Sequence, residues 1–204
     1  MEHYLIIDAH AHLWKEQNAV VDGQPISHIV LDIHDDDPNN DKVYIRNNEN
    51  ILNNYETQLT FKMSGRIAAS GNINSMINYS ALTDCCFMAL FMGCQALTAS
   101  PELPAEELAE GCYYGMFYNC TSLRKAPTLP AAELVNSCYS MMFYGCESLN
   151  SVDVNFTSWN SSSTNHWLEG VAENGTFRCT EDLDTFRRGV TYIPSEWNIS
   201  LKNN

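Results

Sequence analysis

Met116-Phe-Tyr-Asn-Cys-Thr-Ser-Leu123 returns 26 residues later as Met142-Phe-Tyr-Gly-Cys-Glu-Ser-Leu149. The step is not confined to this phrase. Cys86, Cys112 and Cys138 are each 26 apart, as are Cys94, Cys120 and Cys146, then Phe91, Phe117 and Phe143, then Leu97, Leu123 and Leu149. Pro101-Glu-Leu-Pro104 falls on Pro127-Thr-Leu-Pro130, and Leu108 on Leu134, at the same step. A fixed period of this length marks stacked supersecondary units. One such unit has an apolar face that it cannot bury alone, so neighbours must share a continuous core. The expected fold is an α/β solenoid of 26-residue repeats.

Within each unit the spacing predicts a helix of two to three turns over Leu108 to Phe117 and over Leu134 to Phe143, where apolar and aromatic residues recur at about helical spacing without an internal proline. The Leu-x-x-Ala-Pro-x-Leu-Pro stretch excludes helix in its middle. Proline fixes φ, lacks a donor and restricts the residue before it, so an extended rung ending in a corner is expected there.

The Phe-x-x-Cys-x-x-Leu core of both phrases resembles the BspA-type leucine-rich repeats of bacterial surface proteins, and the likeness extends more weakly from about Val43 to Ile199. The resemblance implies a short leucine-rich-repeat-like solenoid with N- and C-terminal caps. It also implies a non-catalytic binding or adhesion role toward protein or glycan, at the cell surface or after secretion. Residues 1–41 then read as an N-terminal strand and acidic linker, 42–83 as an N-terminal cap, 84–149 as the repeats and 150–204 as a C-terminal cap. Leu59 to Gly71 would cap the first rung. Trp167 to Phe177 and Ile193 to Trp197 would close the far end, since solenoid ends need polar-faced caps.

Composition narrows the partners. The chain has 204 residues, 45% of them hydrophobic, enough to offset the entropy of ordering a backbone. Its formal charge is -14, which repels phosphate backbones and anionic membranes, so nucleic acid is not an expected partner. No apolar run approaches the roughly 20 residues of a membrane span. Met1 to Trp14 lacks the basic start and small-residue cleavage site of a secretory signal.

A different signal stands at the N-terminus. Tyr4-Leu-Ile-Ile-Asp-Ala-His-Ala-His-Leu-Trp14 is a short apolar run followed by Asp8, His10 and His12, alternating as on one face of a strand. Two imidazoles so placed can share one metal. The stretch from Met1 to about Ile26 resembles the opening strand of metal-dependent amidohydrolases, which implies zinc ligation by His10 and His12. The later histidine ligands and catalytic aspartate of that family have no counterpart motif here, and a barrel needs roughly 250 residues. Three readings stay open: an amidohydrolase remnant, inactive alone; a small metal site; or an ordinary edge strand. Otherwise no cofactor is expected.

The remaining candidates are weaker. The oxygen-rich Asp32 to Asp41 stretch lacks the glycine turn and distal glutamate of a calcium loop and reads as a solvated linker. Six of the eight cysteines fall in repeat columns, and buried reduced thiols are expected. Helical geometry would hold Cys86 and Cys94 about 12 Å apart, beyond disulfide reach. Zinc at these thiols is disfavoured by the absence of a Cys-x-x-Cys pair. Tyr113, Tyr114, Tyr118, Tyr139 and Tyr144 cluster around the repeats, either as contact anchors or as walls of the core.

Overall fold

Overlapping turns, and not helices, carry the chain across the first part of each unit. The computed structural model describes residues 5–9, 20–21, 24–25, 42–45, 60–61, 67–77 and 81–202. From Asp84 to Gly93, Glu110 to Asn119 and Asn136 to Gly145 the backbone forms a ribbon of turns. In the first ribbon the amides of Cys86, Met88, Leu90, Met92 and Cys94 donate three residues back, to Thr83, Cys85, Phe87, Ala89 and Phe91. The intervening amides of Cys85, Phe87, Ala89, Phe91 and Gly93 donate forward, to the carbonyls of Glu110, Cys112, Tyr114, Met116 and Tyr118. Gly111, Tyr113, Gly115, Phe117 and Asn119 pass the same bonds on to Asn136, Cys138, Ser140, Met142 and Tyr144. Donors therefore find partners alternately in their own turn and in the next ribbon, which is what allows such a segment to be buried.

This corrects the helices expected over Leu108 to Phe117 and Leu134 to Phe143. A right-handed helix needs negative φ throughout. Here φ is positive at every fourth residue: Cys85, Ala89 and Gly93, then Gly111, Gly115 and Asn119, then Ser137, Met141 and Gly145. Burial keeps the same beat, with Cys112 and Tyr113, Met116 and Phe117, then Cys120 inside while Tyr114 and Tyr118 face outward. Over ten residues a period of four is hard to tell from the helical one of about 3.6. Among the described residues the helical content is the 3-10 turn Ile73–Met76.

The proline-bearing stretches between ribbons are extended, as expected. The strands are β1 Leu5–Ala9, β2 Val20–Val21, β3 Gln24–Pro25, β4 Lys42–Ile45, β5 Ile67–Gly71, β6 Leu97–Ala99, β7 Lys125–Leu129, β8 Ser151–Val154, β9 Thr176–Cys179 and β10 Asn198–Leu201. One sheet has the order β10-β9-β8-β7, all parallel, and another the order β4-β1-β5-β6, with β5 and β6 parallel. Pro127 has no N–H to give the ladder, and the β7–β8 register shifts between Lys125 and Thr128 around it. Strand β1 is antiparallel to both of its neighbours, β4 and β5. The first strand of an eight-stranded α/β barrel has parallel neighbours instead.

Two aromatic columns fill the space between ribbon and sheet. Phe91, Phe117 and Phe143 stack with ring centroids 5.5 and 5.6 Å apart, and Phe61 packs on Phe91 at 5.2 Å with its plane tilted by 38°. Phe87, Tyr113, Tyr139 and Trp167 stack at 5.8, 6.0 and 6.4 Å. Ribbon bonding also runs on beyond residue 149, with Tyr139, Met141, Phe143 and Gly145 donating to Ser163, Asn165, Trp167 and Glu169. Past it, three indole N–H groups fix the C-terminal segment, Trp159 to Asp184 O, Trp167 to Tyr192 O and Trp197 to Ala172 O. Asp153 on β8 holds Arg178 of β9 at 3.4 Å and the Lys202 amine beyond β10.

Candidate functional site

The four-residue beat sorts side chains into inward pairs and pairs on the other side, where Cys85, Met88 and Ala89 form a second buried cluster with Tyr114 packed on it and the column Met92, Tyr118 and Tyr144 makes the candidate surface. Tyr118 and Tyr144 occupy one outward column and stack at 4.8 Å with planes 4° apart, each half-buried. Met92 precedes them in that column and is 45% exposed. Alongside, the Tyr114 hydroxyl donates to Met141 Sδ at 3.3 Å, which ties two adjacent ribbons together. At the start of each ribbon, Asp84 Oδ1 accepts from the Glu110 amide at 3.1 Å and Glu110 Oε1 accepts from Asn136 Nδ2 at 2.8 Å. The face is thus built from rows of like positions, each cross-linked along the stack.

The five candidate tyrosines divide between the two sides. Tyr113 and Tyr139 are enclosed in the core stack, which corrects their nomination as contact residues. Adjacent residues such as Tyr113 and Tyr114 face opposite ways because an inward pair ends between them. Tyr114, Tyr118 and Tyr144 remain on the outward side. Met92 and Met141 were missed, although Met92 falls on Tyr118 and Tyr144 at the repeat step. A tyrosine-only reading of the columns passes over it.

The cysteines do structural work. All eight are buried, and Cys86, Cys112, Cys120, Cys138, Cys146 and Cys179 are free thiols. Cys120 Sγ donates to the Phe91 carbonyl at 3.1 Å and Cys146 Sγ to the Phe117 carbonyl at 3.0 Å, one ribbon back in each case. Cys94 does the same to Phe61. Each of these carbonyls in the ribbons also accepts the turn amide of the cysteine three residues on. Burial pushes Cys138 up to about 11 and Cys86 and Cys146 up to about 12, and also raises Cys112 and Cys120 well above the ordinary thiol value. Thiols held protonated in this way are poor nucleophiles and poor metal ligands.

His10 and His12 lie outside the described residues, as does the Asp32 to Asp41 stretch. Among the described residues no group of three or more His, Cys, Asp or Glu side chains is placed to hold a metal ion, and no helix is long and apolar enough to cross a membrane. His166 Nδ1 lies 2.5 Å from Glu169 Oε2 on the ribbon that follows Tyr144. Comparison with protein-family models, with curated proteins and with solved structures found no match to this chain.

Proposed function

We propose that the chain is a non-catalytic recognition module, a short leucine-rich-repeat-like solenoid that binds protein or glycan through the outward face of its turn ribbons. The observation that carries this reading is the stacked Tyr118–Tyr144 pair, held half-exposed beside Met92. Tyrosine gives large contact area for little side-chain entropy, and here the stack has already fixed both rings before any partner arrives. The step of 25 in the ribbon hydrogen bonds and the repeating aromatic columns support a solenoid, and resemblance to surface repeats supports adhesion. The test is a screen of the purified, folded chain on glycan and protein arrays beside a Tyr118→Ala, Tyr144→Ala variant. A ligand bound by the parent and lost in the variant is expected. A blank on both arrays from protein shown to be folded overturns the reading.

The alternative, a remnant of a metal-dependent amidohydrolase with zinc at His10 and His12, draws no support from the antiparallel neighbours of β1. Metal analysis of the purified chain is expected to give far less than one zinc per chain. Near-stoichiometric zinc that disappears in a His10→Ala, His12→Ala variant would restore that alternative.

A further inference from the structure

Charge is distributed unevenly over the repeats. Between Ala81 and Leu123 the sequence has no Lys or Arg, only Asp84, Glu102, Glu106, Glu107 and Glu110. Between Ala126 and Phe177 it again has none, against Glu133, Glu147, Asp153, Glu169 and Glu173. The two cations that interrupt this stretch, Arg124 and Lys125, stand at the entrance to β7 and not on a ribbon. Asp84 and Glu110 line the start of the ribbons and are exposed, as is Glu147 just after the third. Glu169 enters the ribbon that succeeds Tyr144, its backbone carbonyl accepting the Gly145 amide at 2.7 Å. The ribbons that carry the aromatic strip thus bear carboxylates and no Lys or Arg, with Glu147 three residues beyond Tyr144 and the Glu169 carboxylate held by His166, and this part of the chain has a negative potential.

We infer that the Met92–Tyr118–Tyr144 strip is a docking surface for an extended segment of a partner protein bearing arginine or lysine. This rests on the recognition reading above and names the ligand class of the same face. Cations are drawn to aromatic rings, and a guanidinium keeps donors free for phenol and carboxylate oxygens while its plane packs on a ring. Met92 and the ring edges offer apolar area for the methylene stems of such side chains. The two rings cover each other's facing surfaces at 4.8 Å. Sugar and cation alike need the ring faces left outside the stack, and the acidic balance of the ribbons favours the cation.

The test uses the full chain and a labelled peptide of alternating arginine and serine, with counterparts carrying lysine, citrulline or glutamate in place of arginine. Binding is followed by fluorescence anisotropy at low salt and at about 0.15 M salt, where exposed charges are screened over roughly 8 Å. The arginine and lysine peptides are expected to bind and the citrulline and glutamate peptides not to. A Tyr118→Leu, Tyr144→Leu variant is expected to bind about 10-fold more weakly. Phe186→Ala, at a nearly fully exposed ring outside the strip, should change nothing. If the leucine variant melts early, Tyr118→Phe, Tyr144→Phe keeps the stack and is expected to lose about 3-fold through the hydroxyls alone. A cationic peptide that binds no better than the citrulline one, or that binds every tyrosine variant as well as the parent, overturns the inference. If the peptides fail but an array glycan is bound through Tyr118 and Tyr144, the inference falls and the recognition reading stands. Failure of peptides and arrays together overturns both.

Discussion

Gly111 and Gly115 hold equivalent places four residues apart in one ribbon, at φ +59° and +56°, yet they do not tolerate a side chain equally. A Cβ on Gly111 would lie 3.1 Å from Cys85 Sγ, whereas the nearest atom to one on Gly115 is Tyr118 Cβ at 3.9 Å. Both alanine substitutions meet the left-handed penalty of about 1–2 kcal/mol, and Gly111→Ala adds the contact with a buried thiol. Thermal melts should therefore rank the parent above Gly115→Ala and Gly115→Ala above Gly111→Ala. The converse change is also available, because Ser137 sits in the Gly111 column at φ 56°. Ser137→Gly should leave the melting temperature unchanged or raise it by about a degree, since relief of the left-handed strain of about 1 kcal/mol is largely offset by the added chain entropy of about 0.5–1 kcal/mol. Tyr139 offers a separate check. Among the described residues its hydroxyl has no hydrogen-bond partner, and Phe87 occupies the same column without a hydroxyl. Tyr139→Phe should leave the melting temperature unchanged or higher, while Tyr139→Ala, which empties the stack, should cost about 3–5 kcal/mol. A clear loss on Tyr139→Phe would mean that the hydroxyl is bonded in solution.

At the scale of the ribbon, far-UV circular dichroism discriminates directly between the two readings of the repeat. A chain built as described lacks the double minimum of a helical protein. A spectrum showing a helix in each unit would restore the sequence-based expectation and undo the alternating bond pattern. That expectation went astray for a definable reason. Cys112, Met116 and Cys120 are four apart, which a helix also brings near one face, and only the accompanying Tyr113 and Phe117 show that the buried residues come in adjacent pairs. The glycines held the missing signal. Gly111 and Gly115 lie four apart, and Gly93 and Gly145 fall in one column, all at positive φ, with Asn119 between them as a residue type that accepts it. The extended stretches were legible because proline leaves few choices, and the cysteine columns were legible as buried thiols. Their hydrogen bonds were not, because the partner of Cys120 Sγ is a carbonyl one ribbon back that spacing alone does not place. Of the candidate surface, Tyr118 and Tyr144 were legible from their column, whereas Tyr113 and Tyr139 could be sorted from Tyr114 only by knowing where each inward pair begins.

Over the whole molecule the thiols couple stability to pH. Buried Cys138 is raised to about 11 and Cys86 and Cys146 to about 12, chiefly by loss of solvent, and Tyr113 and Tyr139 are raised by the same cause. An unfolded thiol ionises near about 8.5 and an unfolded tyrosine near about 10. The folded chain therefore binds protons more tightly than the unfolded one, and stability falls with pH wherever the unfolded state has begun to lose them. Below about pH 8 these groups are protonated in both states and their contribution is fully present. From about pH 9 upward each thiol removes as much as about 1.4 kcal/mol per pH unit, a loss that stops only once pH passes the folded value. With several thiols acting together, the fold should be lost between about pH 9 and the folded values of about 11 to about 12. Urea unfolding at a series of pH values is expected to give a flat free energy through neutrality and a steep decline above pH 9, with a slope of several protons. In parallel, an aromatic disulfide reagent at pH 8 should find the thiols slow to react in the native chain and titrate all eight cysteines once it is unfolded. A native chain that reacts at once, together with a free energy flat to pH 10.5, would place the cysteine columns in contact with solvent. The carbonyl-bonded thiol rows could then not be the element that joins one ribbon to the next.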